Sequence, residues 1–163
     1  MDPLEGIVLS GVEDCPAEVR EALRSKKIYE VDCRLWETGF KPLSVGSRVF
    51  TLNSGEGALH DKKADNDKDR ERNIRHLTES ALRIHTARSR GERVWVHCHL
   101  GKNRGPAGLM SYLILHTQVR SLREVFARVK AHDKRQPRVA ATERNTFAAE
   151  LATMCTRAGK PLD

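Results

Sequence analysis

Cys98 and Arg104, separated by five residues in His97-Cys98-His99-Leu100-Gly101-Lys102-Asn103-Arg104, are the side chains of this 163-residue sequence best suited to covalent chemistry. A cysteine attacks as its thiolate, and an arginine grips two oxygens of one anion with a planar fork that lysine lacks. Five intervening residues suffice for a tight loop whose amide hydrogens converge on a single oxyanion, and Gly101 permits the positive backbone dihedrals such a curl needs. His97 can support the thiolate indirectly through hydrogen bonds, while His99, Leu100, Gly101, Lys102, Asn103 and Arg104 form the anion-binding wall. A nucleophile beside an anion cradle suits displacement at the phosphorus of a phosphate ester.

Two elements must position this loop. Arg93-Val94-Trp95-Val96 is a short apolar strand leading into it, and Pro106 stands where a first helical turn begins, so a helix N-terminus adds its positive end to the anion site. A zinc cluster of His97, Cys98 and His99 is disfavoured, because three consecutive residues at a strand end cannot readily share one tetrahedral ion. An inert buried cysteine would leave Arg104, Gly101 and the strand-loop-helix setting without a use. Neither metal nor cofactor is expected.

His-Cys, five residues and Arg resembles the signature of the protein tyrosine phosphatase superfamily. The likeness extends through Ser111-Tyr112-Leu113-Ile114 and Ser121 to Lys130, which resemble the corresponding stretches of dual-specificity phosphatases; from about Asn73 onward it is clear. The first half resembles that group mainly in its order of elements. The resemblance implies a compact phosphatase domain, residues 1–163, hydrolysing phosphotyrosine and in addition phosphoserine or phosphothreonine through a phosphocysteine intermediate. It also implies an aspartate about thirty residues before the cysteine that protonates the leaving oxygen. Asp67 stands thirty-one residues before Cys98, with Asp65 and Asp69 as substitutes in a charge-rich stretch that also holds Asp61. The plain alternative is that these acids only solvate a loop.

Gly105 departs from the pattern. Most members place Ser or Thr after the arginine, whose hydroxyl helps the thiolate leave; Gly105-Pro106 is similar instead to the Ala-Pro of phosphatases of regenerating liver, which implies slow hydrolysis of the intermediate. Cys33 ends a strand before a loop, a place resembling that of the backdoor cysteine which pairs reversibly with the nucleophile in some relatives; a buried structural thiol is the alternative. Lys102, Lys134, Arg135 and Arg138 keep phosphoinositide substrates open, and Gly101-Lys102-Asn103-Arg104 is similar to the Gly-x-Asn-Arg of RNA 5′-triphosphatases. A phosphate-binding module without turnover needs only the cradle.

The remaining chain reads as alternating elements. Ile7 to Leu9, Ile28 to Cys33 and Arg48 to Leu52 are predicted strands; Asp14 to Arg24, the Ile74-Leu77-Ala81-Ile84 stripe, the region around Leu109 to Leu113, Leu122 to Val129 and Thr142 to Met154 are predicted helices. Ser54 to Arg72 reads as an exposed loop. The pattern argues for an α/β fold, a central mostly parallel sheet flanked by helices in three layers. Hydrophobic residues at 39%, charged residues at 31% and a net charge of +7 fit a folded domain with anionic partners. Four scattered cysteines and no long apolar run point to an intracellular, cytoplasmic protein with no integral membrane segment. Oligomeric state is not written in the sequence.

Overall fold

The computed structural model describes residues 2–33, 49–51, 62–98, 102–133 and 139–163. Within these residues four strands, β1 (Ile7–Ser10), β2 (Ile28–Asp32), β3 (Val49–Thr51) and β4 (Arg93–His97), form one parallel sheet in the order β1-β4-β2-β3. Among the described residues five helices accompany it: α1 (Ala17–Arg24), α2 (Asp67–Ser89), α3 (Arg104–His116), α4 (Leu122–His132) and α5 (Ala148–Arg157).

Crossovers between parallel strands are right-handed, and this decides which helix covers which face. The β1-to-β2 connection moves across the sheet in one direction and the β3-to-β4 connection moves back in the other. Their helices, α1 and α2, must therefore lie on opposite faces. The side-chain alternation of the strands agrees. Ile28 and Trp95 pack with Val19 and Ala22 of α1, whereas Tyr29, Val31, Val94 and Val96 join the main core with Leu77, Ala81 and Ile84 of α2, Leu109 and Leu113 of α3, Val125 of α4 and Leu151 of α5. This is the three-layer arrangement expected from the sequence.

Local boundaries differ from the sequence reading where polar residues begin a helix. The segment read as loop up to Arg72 turns helical at Asp67, because Asn66 caps α2: its side-chain oxygen accepts from Asp69 N at 2.8 Å. Two acids in the first turn add favourable charge there. Ser121 caps α4 through Glu124 N at 3.1 Å, and the Glu124 carboxylate reaches back to Arg120 N at 2.6 Å, a variant of the capping box. At the other end of the chain, α5 starts at Ala148 rather than Thr142; the intervening residues form turns. Among the described residues no helix is long and apolar enough to cross a membrane.

Candidate active site

β4 lies between β1 and β2, so its carboxyl end opens at the middle of the sheet, where parallel α/β sheets place their ligands. Cys98 is the next residue after β4 and is 3% exposed. Residues 99–101 lie outside the described residues; Lys102 and Asn103 follow them, and α3 begins at Arg104. The helix starts two residues earlier than Pro106 suggests, which makes Arg104 and Gly105 its first two residues. Arg104 Nε is buried with no hydrogen-bond partner among the described residues. A guanidinium at a helix N-terminus is a group suited to meet an oxyanion.

The far half of the loop is held by a residue that sequence reasoning missed. Asn145 is 1% exposed and donates from Nδ2 to Asn103 O at 3.2 Å and Ala140 O at 2.8 Å; its Oδ1 accepts from Phe147 N at 2.8 Å. Asn103 Oδ1 in turn accepts from Thr146 N at 3.2 Å, and Lys102 O from Ala140 N at 2.9 Å. The segment before α5 therefore clamps the residues that lead into Arg104. One signal was legible: an Asn placed just ahead of an apolar helix is a residue type that bonds backbone rather than solvent.

The near half is held from inside the sheet. His97 is fully buried, and its Nε2 lies 2.7 Å from Glu30 Oε2 on the adjacent strand; Nδ1 lies 3.7 Å from Asp32 Oδ1. Trp95 stacks on the ring at 4.0 Å between centroids, and its indole N–H donates to Ser10 Oγ at 2.8 Å. Glu30 and Asp32 are also fully buried. Neither was singled out from the sequence.

Cys33 follows β2 as Cys98 follows β4, and the register pairs Asp32 with His97 immediately before them. Cys33 N donates to His97 O at 2.7 Å. Its thiol is fully buried; burial pushes it up, and Cys98 and Asp32 push in the same direction. None of the four cysteines forms a disulfide. A Cβ added to Gly105 would stand 3.3 Å from Cys98 N and His97 C and 3.4 Å from Leu9 Cδ1, so this position looks directly onto the base of the loop.

The acids pair with basic residues of their own stretch. Asp67, in the first turn of α2, bonds Arg70 at 2.6 Å with its side chain 96% exposed. Asp65 pairs with Lys62 at 3.4 Å. Asp69 is less exposed, at 30%, and lines a cavity of about 200 Å³ with Lys62, Lys63, Arg72 and Asn73. A neighbouring cavity of about 300 Å³ shares Lys63 and Ala64 and reaches Asn145 and Thr146 at the loop clamp. Asp61, Lys134, Arg135 and Arg138 lie outside the described residues.

No protein-family model matches the sequence, and no curated protein matches it. Solved structures do. Human DUSP28 superposes with a TM-score of 0.69 at 18% identity, covering 94% of this chain and 94% of its own. DUSP15 gives a TM-score of 0.62 at 18% identity over 98% and 94% of the two chains. The human tyrosine phosphatase-like serine/threonine/tyrosine-interacting protein gives a TM-score of 0.62 at 19% identity over 91% and 89%. With a parallel sheet that delivers a cysteine to its centre and a helix that opens on an arginine, this chain has the fold of the dual-specificity phosphatases.

Proposed function

We propose that this chain is a cysteine-dependent phosphatase acting on phosphorylated proteins, on phosphotyrosine and also on phosphoserine or phosphothreonine. The observation that carries the reading is the placement of Cys98 and Arg104 at the two ends of one short loop, between the central strand and the N-terminus of α3. The Cys98 thiolate attacks phosphorus, the ester oxygen departs with a proton, and water then releases phosphate from the sulfur. Arg104 and the helix N-terminus hold the equatorial oxygens as charge shifts during both steps. Reduced, buried thiols suit a reducing intracellular compartment.

Asp67 is assigned as the proton donor on its distance from Cys98 in the sequence, and Asp69, which faces a cavity, is the competing assignment. Each is changed to Asn in turn. The true donor lowers turnover of an ester with a poor leaving group and spares one with a good leaving group.

Phosphate release from phosphopeptides, phosphoinositides and triphosphorylated RNA, with Cys98→Ser as blank, tests the whole reading. Release from phosphopeptides alone supports it; release only from lipid or RNA reassigns the substrate. Binding without release selects the other reading, a phosphate-binding module, which Gly105 favours because no hydroxyl follows Arg104 to assist the second step.

Oxidation has a built-in partner. Peroxide converts the Cys98 thiolate to a sulfenic acid, and the Cys33 thiol condenses with it to form the S–S bond and release water. Because burial keeps Cys33 protonated to alkaline pH, this condensation accelerates as pH rises. Peptide mapping after mild peroxide should give the Cys33–Cys98 link; sulfonic acid at Cys98 with Cys33 unchanged is the opposing result.

A further inference from the structure

We propose that the two adjoining cavities beside the loop clamp form a subsite for an acidic group, a carboxylate or a second phosphate, carried by a phosphopeptide a few residues from its phosphorylated side chain. The inference rests on the phosphatase reading and adds to it a preference for sequence.

Charge sorts the two cavities. The one of about 200 Å³ is walled by three cations, Lys62, Lys63 and Arg72, and one carboxylate, Asp69. The one of about 300 Å³ is balanced, with Lys63 and Arg70 against Glu143 and Glu150. Two of these carboxylates already have polar partners: Glu150, 1% exposed, accepts from Asn73 Nδ2 at 2.7 Å, and Asp69 accepts from Asn66 Nδ2 at 3.3 Å. The cations are less fully engaged. Arg72 stands 3.5 Å from Asp69, long for a charge-assisted bond, and its enclosed Nε has no hydrogen-bond partner among the described residues. Lys62 meets Asp65 at 3.4 Å with both side chains 71% exposed, a pair that solvent screens. Lys63 lines both cavities and pairs with no carboxylate among the described residues. A concave site with cations in excess and donors left over attracts an anion.

Position makes that anion part of the substrate. The balanced cavity reaches from Lys63 to Asn145 and Thr146, which bond Asn103 O and Oδ1 at 3.2 Å each, and Arg104 is the next residue along the chain. A peptide with its phosphate in the loop thus meets the balanced cavity first and the cationic one beyond it. An extended chain advances about 3.3 Å per residue, so the acid that fills the cationic cavity stands a few residues from the phosphorylated one.

The test uses the whole protein and labelled phosphotyrosine peptides with glutamates before the phosphotyrosine, with glutamates after it, with glutamines on both sides, or with a second phosphate. A small chromogenic ester reports the phosphatase reading by itself. Where nothing is hydrolysed that reading fails, and fluorescence anisotropy with Cys98→Ser still ranks the peptides, so the two fail separately. An acidic or doubly phosphorylated flank is expected to lower KM about fivefold against the glutamine peptide, with kcat unchanged. Lys63→Ala should remove most of that difference and Lys63→Glu should invert it, while the small ester is turned over as by wild type. Lys68 is exposed in the first turn of α2 and lines neither cavity, so Lys68→Ala should preserve the difference; this separates a site from the general pull of a basic protein. Equal KM for all the peptides overturns the proposal, as does a preference that Lys63→Glu leaves alone or that Lys68→Ala lowers equally. A gain dependent on Lys63 and confined to an inositol bisphosphate also overturns it, and gives the cavity to a lipid headgroup.

Discussion

The two faces of the sheet solve different problems. Toward α2, α3, α4 and α5 the strands present Val31, Val94 and Val96 to one continuous apolar core. Toward α1 the apolar cluster is small, Val19, Ala22, Ile28 and Trp95 with Cys15, and near the loop it gives way to Glu30, Asp32 and His97. The strands alternate between a face that supplies cohesion and one that supplies charge. A sheet pinned by its large core can bear the cost of ionisable groups buried on the opposite side.

Mutations should separate these roles. Phe147→Ala, in the large core, is expected to cost about 3–5 kcal/mol in urea unfolding, while Val19→Ala, on the buried face of α1, costs about 1.6 kcal/mol. Equal losses would abolish the distinction.

Asn145→Ala removes the side-chain bonds to Asn103 and Ala140 and should lower stability by about 1–3 kcal/mol. Because Asn103 leads into Arg104, kcat/KM for a phosphate ester should fall further than unfolding accounts for. A stability loss with unchanged kinetics in the folded fraction would make the clamp purely architectural.

Gly105 tests the junction of the two faces. Its added Cβ meets backbone at 3.3 Å, so Gly105→Ala and Gly105→Ser both require the loop base to give by a few tenths of an ångström. Wild type should show burst kinetics with a chromogenic ester, and Ser should exceed Ala in steady turnover because only Ser brings the hydroxyl. Equal turnover in the two variants would assign Gly105 to packing.

The smallest effect lies far from the loop. Burial lowers His116, with His85 stacked on it at 4.3 Å adding to the effect. The unfolded ring binds its proton near pH 6.5 and the folded ring only at lower pH, so stability is retained above 6.5 and falls as pH drops below it. Urea midpoints between pH 7 and 5 should decline, and His116→Gln should shallow the decline slightly.

Much of this architecture was legible because its signals are local. The strand Arg93 to Val96, the spacing of Cys98 and Arg104, and the apolar stripe of α2 each carry their own pattern, and their alternation implied the parallel sheet. Polar caps hid the boundaries: Asn66 and Asp67 look like loop until the bond from Asn66 to Asp69 N is seen. Glu30 and Asp32 were hidden for another reason. In a strand read as Ile-Tyr-Glu-Val-Asp-Cys, alternating acids suggest a wet face, and only the crossover of α1 shows that this face is covered. Asn145 depends on a contact with a loop forty-two residues earlier, which no local pattern encodes.

Gly108 of α3 leaves its Cβ position 3.2 Å from Cys33 Sγ, so the sulfur is seated against the helix and fully enclosed. Reagent size then becomes a filter. Bulky thiol reagents are shut out of that seat. On the oxidation proposed above, Cys33 answers only through Cys98, a private thiol that does not compete with it for anything dissolved outside.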